Sequence, residues 1–60
     1  MFVQYEVWGV LDRHEELFEC VGSLKEAEQI VTDNLEFHDE MYIIEDTDGD
    51  LTEVRRYQGL

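Results

Sequence analysis

Gly22-Ser23-Leu24-Lys25-Glu26-Ala27-Glu28-Gln29-Ile30-Val31-Thr32-Asp33-Asn34-Leu35 is the stretch that decides the fold. Leu24, Ala27, Ile30, Val31 and Leu35 recur at helical spacing, while Lys25, Glu28, Gln29, Thr32 and Asp33 fall mainly on the opposite side. Ser23 occupies an N-cap position and Glu26 follows three residues later. In that capping-box pattern the hydroxyl and the carboxylate each satisfy a backbone N–H left free at the helix start. The spacing predicts one amphipathic helix ending near Asn34 to Glu36. On both sides of it the sequence changes to strand-like alternation.

Upstream, residues 2–11 read as a strand, with Val3, Tyr5, Val7 and Leu11 on one face and Gln4, Glu6, Trp8 and Val10 on the other. Asp12-Arg13-His14-Glu15 reads as a turn, and residues 16–21 as a second strand in which Phe18 and Cys20 alternate with Leu17, Glu19 and Val21. Downstream, Phe37 to Glu40 is a connector and Met41 to Asp46 a third strand. Thr47-Asp48-Gly49-Asp50 carries an Asp-Gly turn signal, Leu51 to Tyr57 is a fourth strand, and Gln58-Gly59-Leu60 a tail. The pattern is ββαββ, an α+β fold in which a four-stranded antiparallel sheet of order 2-1-3-4 carries one helix on one face. That order keeps both hairpins intact and every neighbour antiparallel. Met41 and Ile43 compete with Tyr42 and Ile44 for the helix side, because both sets are apolar.

The chain of 60 residues carries 16 Asp and Glu against 4 Lys and Arg, a formal net charge of −12. Solubility needs a net charge of only roughly 2–8 in a small domain, and the excess opposes compaction. Yet 43% of the residues are hydrophobic, including Trp8, three Phe and three Tyr, which excludes a disordered acidic tail. The composition fits one folded domain over residues 1–60 with an acidic surface. A core this small leaves stability marginal, and a homodimer would bury further apolar area. One cysteine permits no internal disulfide, which suits a cytoplasmic setting. No stretch reaches the ~18 apolar residues of a membrane span, and the first residues lack a signal-peptide pattern. An acidic surface is also repelled by anionic lipid and by nucleic acid, so direct binding of either is not expected.

Candidate chemistry is thin. Asp46, Asp48, Asp50 and Glu53 resemble part of a calcium loop, but Gly49 falls at the fourth position rather than the sixth, and Tyr57 stands where an acidic ligand belongs. A hairpin turn explains the same residues. Cys20 with His14 or His38 could form a nucleophile and base, but Cys20 reads as a small buried hydrophobe and both histidines as exposed. No Gly-rich phosphate loop, cofactor motif or zinc spacing occurs. The expectation is a protein that is not an enzyme and holds no cofactor or metal. Arg55 and Arg56 point to opposite faces and pair with nearby carboxylates. Trp8 lies on the face away from the helix, where it either packs locally or anchors an interface.

The acidic groups form sets. Glu45, Asp46, Asp48, Asp50 and Glu53 make a dense acidic hairpin, Glu26, Asp33, Glu36, Asp39 and Glu40 line the helix and its exit, and Glu6, Glu15, Glu16 and Glu19 decorate the first hairpin. Alternate strand residues are ~6.6 Å apart and helix residues four apart ~6 Å, comparable with the separation of successive phosphates along a nucleic-acid strand. Carboxylates so spaced suit a basic groove built for DNA. Trp8, Tyr42 or Phe37 would add apolar contacts at the centre, and the expected partner-binding set is Glu45, Asp46, Asp48, Asp50, Glu53, Glu36, Asp39, Glu40 and Trp8.

In size, charge, lack of disulfides and α+β pattern the chain resembles small acidic proteins that bacteriophages make to disable host machinery, among them DNA mimics such as inhibitors of HU-type nucleoid proteins. The resemblance implies an inhibitor that occupies the basic nucleic-acid-binding surface of a host protein (a nucleoid protein, RNA polymerase or a nuclease). Two further readings follow from composition: an adaptor that binds protein through an apolar sheet face, and a domain adapted to a high-salt cytoplasm.

Overall fold

The computed structural model describes residues 1–59. Strand β1 spans Val3–Leu11 and β2 His14–Val21, helix α1 spans Leu24–Asn34, and after a short 3-10 turn at Leu35–Phe37 come β3, Glu40–Thr47, and β4, Asp50–Gln58. The sheet order is β2-β1-β3-β4 with every neighbouring pair antiparallel. This is the ββαββ arrangement expected from the periodicities. Leu60, expected in the tail, lies outside the described residues.

The helix starts where its cap was expected. The Ser23 hydroxyl accepts from the Glu26 backbone N–H at 3.2 Å, with Ser23 itself in an extended conformation. Ala27 and Val31 are buried against Val7 of β1 and Met41 and Ile43 of β3, and Tyr5, Val21, Leu24, Ile30, Leu35 and Tyr57 pack around that cluster. The competition within β3 is thereby resolved. Met41 and Ile43 face the helix, so the period of two turns Tyr42 and Ile44 to the other side.

Both hairpin loops have two residues. Asp12 and Arg13 have φ of 52° and 70°, and Asp48 and Gly49 have 51° and 95°. Positive φ at both positions gives the loop the twist of the strands it joins. The first turn is therefore shorter than residues 12–15, and β2 begins at His14 rather than residue 16.

Three expectations about side chains change. Cys20 is exposed, because β2 is an edge strand and Cys20 stands opposite Glu6 on the face the helix leaves uncovered. The simple alternation of β2 is broken by a bulge: Glu19 pairs with Val7 and Leu17 with Trp8, leaving Phe18 as the extra residue. Phe18 then meets His38 edge-on, with ring centroids 5.6 Å apart. His38 is half-buried rather than exposed, since its Nδ1 lies 2.9 Å from the Asn34 carbonyl and its ring covers Gly9. A Cβ at Gly9 would come within 2.8 Å of His38 Cδ2, so only glycine admits the ring there.

Arg13 holds the left-handed conformation without glycine's freedom. Arg13→Gly should raise the unfolding free energy by about 1 kcal/mol. Urea denaturation checks this, and an unchanged or lower midpoint would count against the loop geometry.

Candidate functional site

Among the described residues no helix covers the second face of the sheet. Residues directly opposite one another on neighbouring strands share a face, and the pairs Leu17–Trp8, Trp8–Tyr42 and Tyr42–Arg56 run straight across all four strands. The Trp8 and Tyr42 rings are parallel with centroids 6.1 Å apart. The Arg56 guanidinium lies over Tyr42, 4.4 Å from its centroid. Tyr42 is only 9% exposed although no element covers it. Its own neighbours on the face bury it.

Carboxylates ring this row. Glu6 accepts from the Trp8 indole N–H at 3.0 Å, and Glu15 accepts from the Tyr42 hydroxyl at 2.9 Å. Arg56 donates to Glu40 at 2.9 Å and to both oxygens of Glu53 at 2.7 and 3.3 Å. Gln58 also donates to Glu40, and Gln4 to Asp46. The face thus presents an aromatic centre and several carboxylates against one guanidinium.

The proton affinities follow from these contacts. Hydrogen bonds from Arg56, joined at Glu40 by one from Gln58, hold the Glu40 and Glu53 carboxyls below their ordinary value. Hydrogen bonds to Glu53 and Glu40 raise the proton affinity of Arg56 in turn. Burial, reinforced by the hydrogen bond to Glu15, pushes the Tyr42 hydroxyl up. On the helix side, burial and the hydrogen bond to Glu45 do the same to Tyr5.

Of the residues expected to bind a partner, the fold brings Trp8, Glu40, Asp46 and Glu53 onto this face. It does not bring the others there. Glu45 is on the helix side, accepting from Tyr5 and Thr47. Asp48 accepts from the Phe2 backbone N–H at the turn beside Asp50, Asp39 accepts from the Asp12 backbone N–H, and Glu36 is in the 3-10 turn. Runs of acidic residues along the chain are thus a poor guide to a common surface. The expected partner-binding set omits Glu6 and Glu15, which the sequence places only as decoration of the first hairpin, Tyr42, which is only an alternative central contact, and Arg56. A signal for Glu6 and Tyr42 exists in Glu6-Val7-Trp8 and Glu40-Met41-Tyr42, where an acid and an aromatic two apart share a strand face, whereas Glu15 and Arg56 join it only through strand register.

Asp46 accepts from the Gly49 backbone N–H at 2.8 Å, as a turn residue does. Among the described residues no three His, Cys, Asp or Glu converge as a metal site. His14 and His38 line a cleft of about 250 Å³ with Leu11, Glu16 and Phe18, whereas Cys20 lies on the opposite side of the sheet beside Glu6, so the two chemistries are not brought together. Arg55 reaches from β4 to Glu28 of the helix at 2.8 Å, and Arg56 points the other way. Among the described residues no helix is long and apolar enough to cross a membrane. No family model, no curated protein and no solved structure matches the chain.

Because the Glu40 and Glu53 values are lowered on folding, their pairing stabilises the fold above the ordinary glutamate range. That contribution is lost as pH falls through the depressed values. In a carboxyl-carbon NMR titration both should have midpoints below the ordinary glutamate value, and Arg56→Leu should return both upward. Midpoints unmoved by that substitution would show that Arg56 does not control them.

Proposed function

We propose that this protein is a non-enzymatic acidic inhibitor that lays its uncovered sheet face on the basic nucleic-acid-binding surface of another protein, in the place of DNA. The observation that carries this reading is the aromatic row Trp8–Tyr42 on an open sheet face, ringed by Glu6, Glu15, Glu40, Asp46 and Glu53. A surface that binds DNA is built from Lys and Arg and releases counterions when an anion arrives. Carboxylates spaced along strands supply the anion, and an aromatic centre adds contacts that salt does not screen. The cationic surfaces of nucleoid proteins, RNA polymerase and nucleases are the class of target. The setting that suits this activity is the cytoplasm of a bacterium whose machinery a phage is disabling.

The net charge of −12 supports the same reading through kinetics. A strongly anionic protein is steered toward a cationic cleft, which raises the rate of encounter at low salt. The adaptor reading has its own support in the exposure of Leu17, Leu51 and Val54 near the sheet edges. Salt separates the two, since apolar burial persists where charge pairing fades.

The test is displacement of DNA from a panel of basic DNA-binding proteins, an HU-type nucleoid protein first. Displacement is expected at about 50 mM salt, with affinity falling at least tenfold by about 200 mM. No displacement from any of them at low salt would overturn the proposal. Binding that survives about 0.5 M salt would favour the adaptor.

A further inference from the structure

The two hairpins repeat one arrangement on the open face. Tyr42 has Glu40 two residues before it on β3 and Ile44 two residues after it, and Ile44 stands opposite Glu53 of β4. Trp8 has Glu6 two residues before it on β1 and Val10 two residues after it, and Val10 stands opposite Glu15 of β2. Each ring is therefore flanked along the strands by two carboxylates, one from its own strand and one from its hairpin partner. The residue directly across differs: Arg56 faces Tyr42, and Leu17 faces Trp8.

In the β3–β4 hairpin this arrangement holds a guanidinium. Arg56 stacks on the ring and bonds to both flanking carboxylates. In the β1–β2 hairpin no cation among the described residues does so. Among the described residues the ion pairs are Arg55–Glu28, Arg56–Glu40 and Arg56–Glu53. Glu6 and Glu15 each bond to a neutral donor, Trp8 and the Tyr42 hydroxyl, which leaves lone pairs on both carboxylates. Leu17 is 48% exposed beside them, an apolar surface of the kind on which the methylenes of a long cationic side chain lie.

We infer that Glu6, Trp8 and Glu15, with Leu17, form a receptor for an arginine side chain of the partner, equivalent to the arrangement that Arg56 fills from within. The inference rests on the proposed docking of this face and names the chemistry of its contact. Arginine is favoured over lysine because its planar guanidinium stacks on an indole while forking to two carboxylates, whereas an ammonium offers a compact charge with no flat face. Trp8 is the best of the aromatic side chains for that stacking.

The probes are oligo-arginine and oligo-lysine peptides of equal length, titrated at about 50 mM salt with the fluorescence of Trp8, the chain's one tryptophan, as readout. The arginine peptide should bind about fivefold more tightly and change the Trp8 emission. Leu17→Arg places a guanidinium opposite Trp8 from within and should abolish the preference. The Glu6→Gln, Glu15→Gln pair should abolish it too, and it decides the matter if the Leu17 variant does not fold. Equal affinity for the two peptides, or a preference that survives in the folded variants, overturns the inference. Equal peptide affinity alongside intact DNA displacement would leave the docking proposal standing without this receptor. An arginine preference without DNA displacement would do the reverse.

Discussion

A single helix can cover only one side of a four-stranded sheet, and the rest of this structure follows from that constraint. Four strands ~4.8 Å apart span roughly 14 Å between the outer strand axes, wider than the ~10–12 Å of one helix with its side chains, so the edges of even the covered side stay partly open. α1 buries Ala27 and Val31 on Val7, Met41 and Ile43, and among the described residues no other element remains for the far side. That side protects itself with its own long side chains. Trp8 stacks on Tyr42, and Arg56 closes the other flank of Tyr42. The same side chains that shield the sheet are those best suited to receive another molecule, because aromatic groups and Arg dominate contact energies at interfaces.

The electrostatics reinforce this division. Arg55 ties β4 to the helix through Glu28, while Arg56 ties together two carboxylates of the open face. Two of the four cationic side chains are thus used internally, on opposite sides of one strand. The remaining negative charge is left to solvent. Such a surface opposes compaction of the chain and attracts a cationic one, so the cost to stability and the gain in association have one origin.

Much of this architecture was legible in the sequence. The helix announced itself through Leu24, Ala27, Ile30, Val31 and Leu35 and its Ser23 cap, and the Asp48-Gly49 turn through its composition. The strand order followed from keeping both hairpins. The first loop was less legible, because Asp12-Arg13 adopts positive φ without the glycine that signals it. Cys20 and Phe18 were misplaced because a bulge shifts the period of β2 midway, and a bulge leaves no mark in hydrophobic alternation. The shared face was harder still. Glu15 comes from β2 and meets the aromatic row only through the β1–β2 register, while the acidic run from Glu45 to Glu53 divides between the two sides of the sheet.

The central claim is that the uncovered face, and not the helix, is the docking surface. An HU-type protein titrated into isotope-labelled protein, followed by NMR at low salt, addresses it directly. The largest shifts should fall on the Trp8 indole N–H and on the β1 and β3 residues around Glu6, Glu40 and Tyr42, with the helix Leu24–Asn34 scarcely changed. Shifts concentrated along the helix, with the Trp8 signal unmoved, would contradict the account.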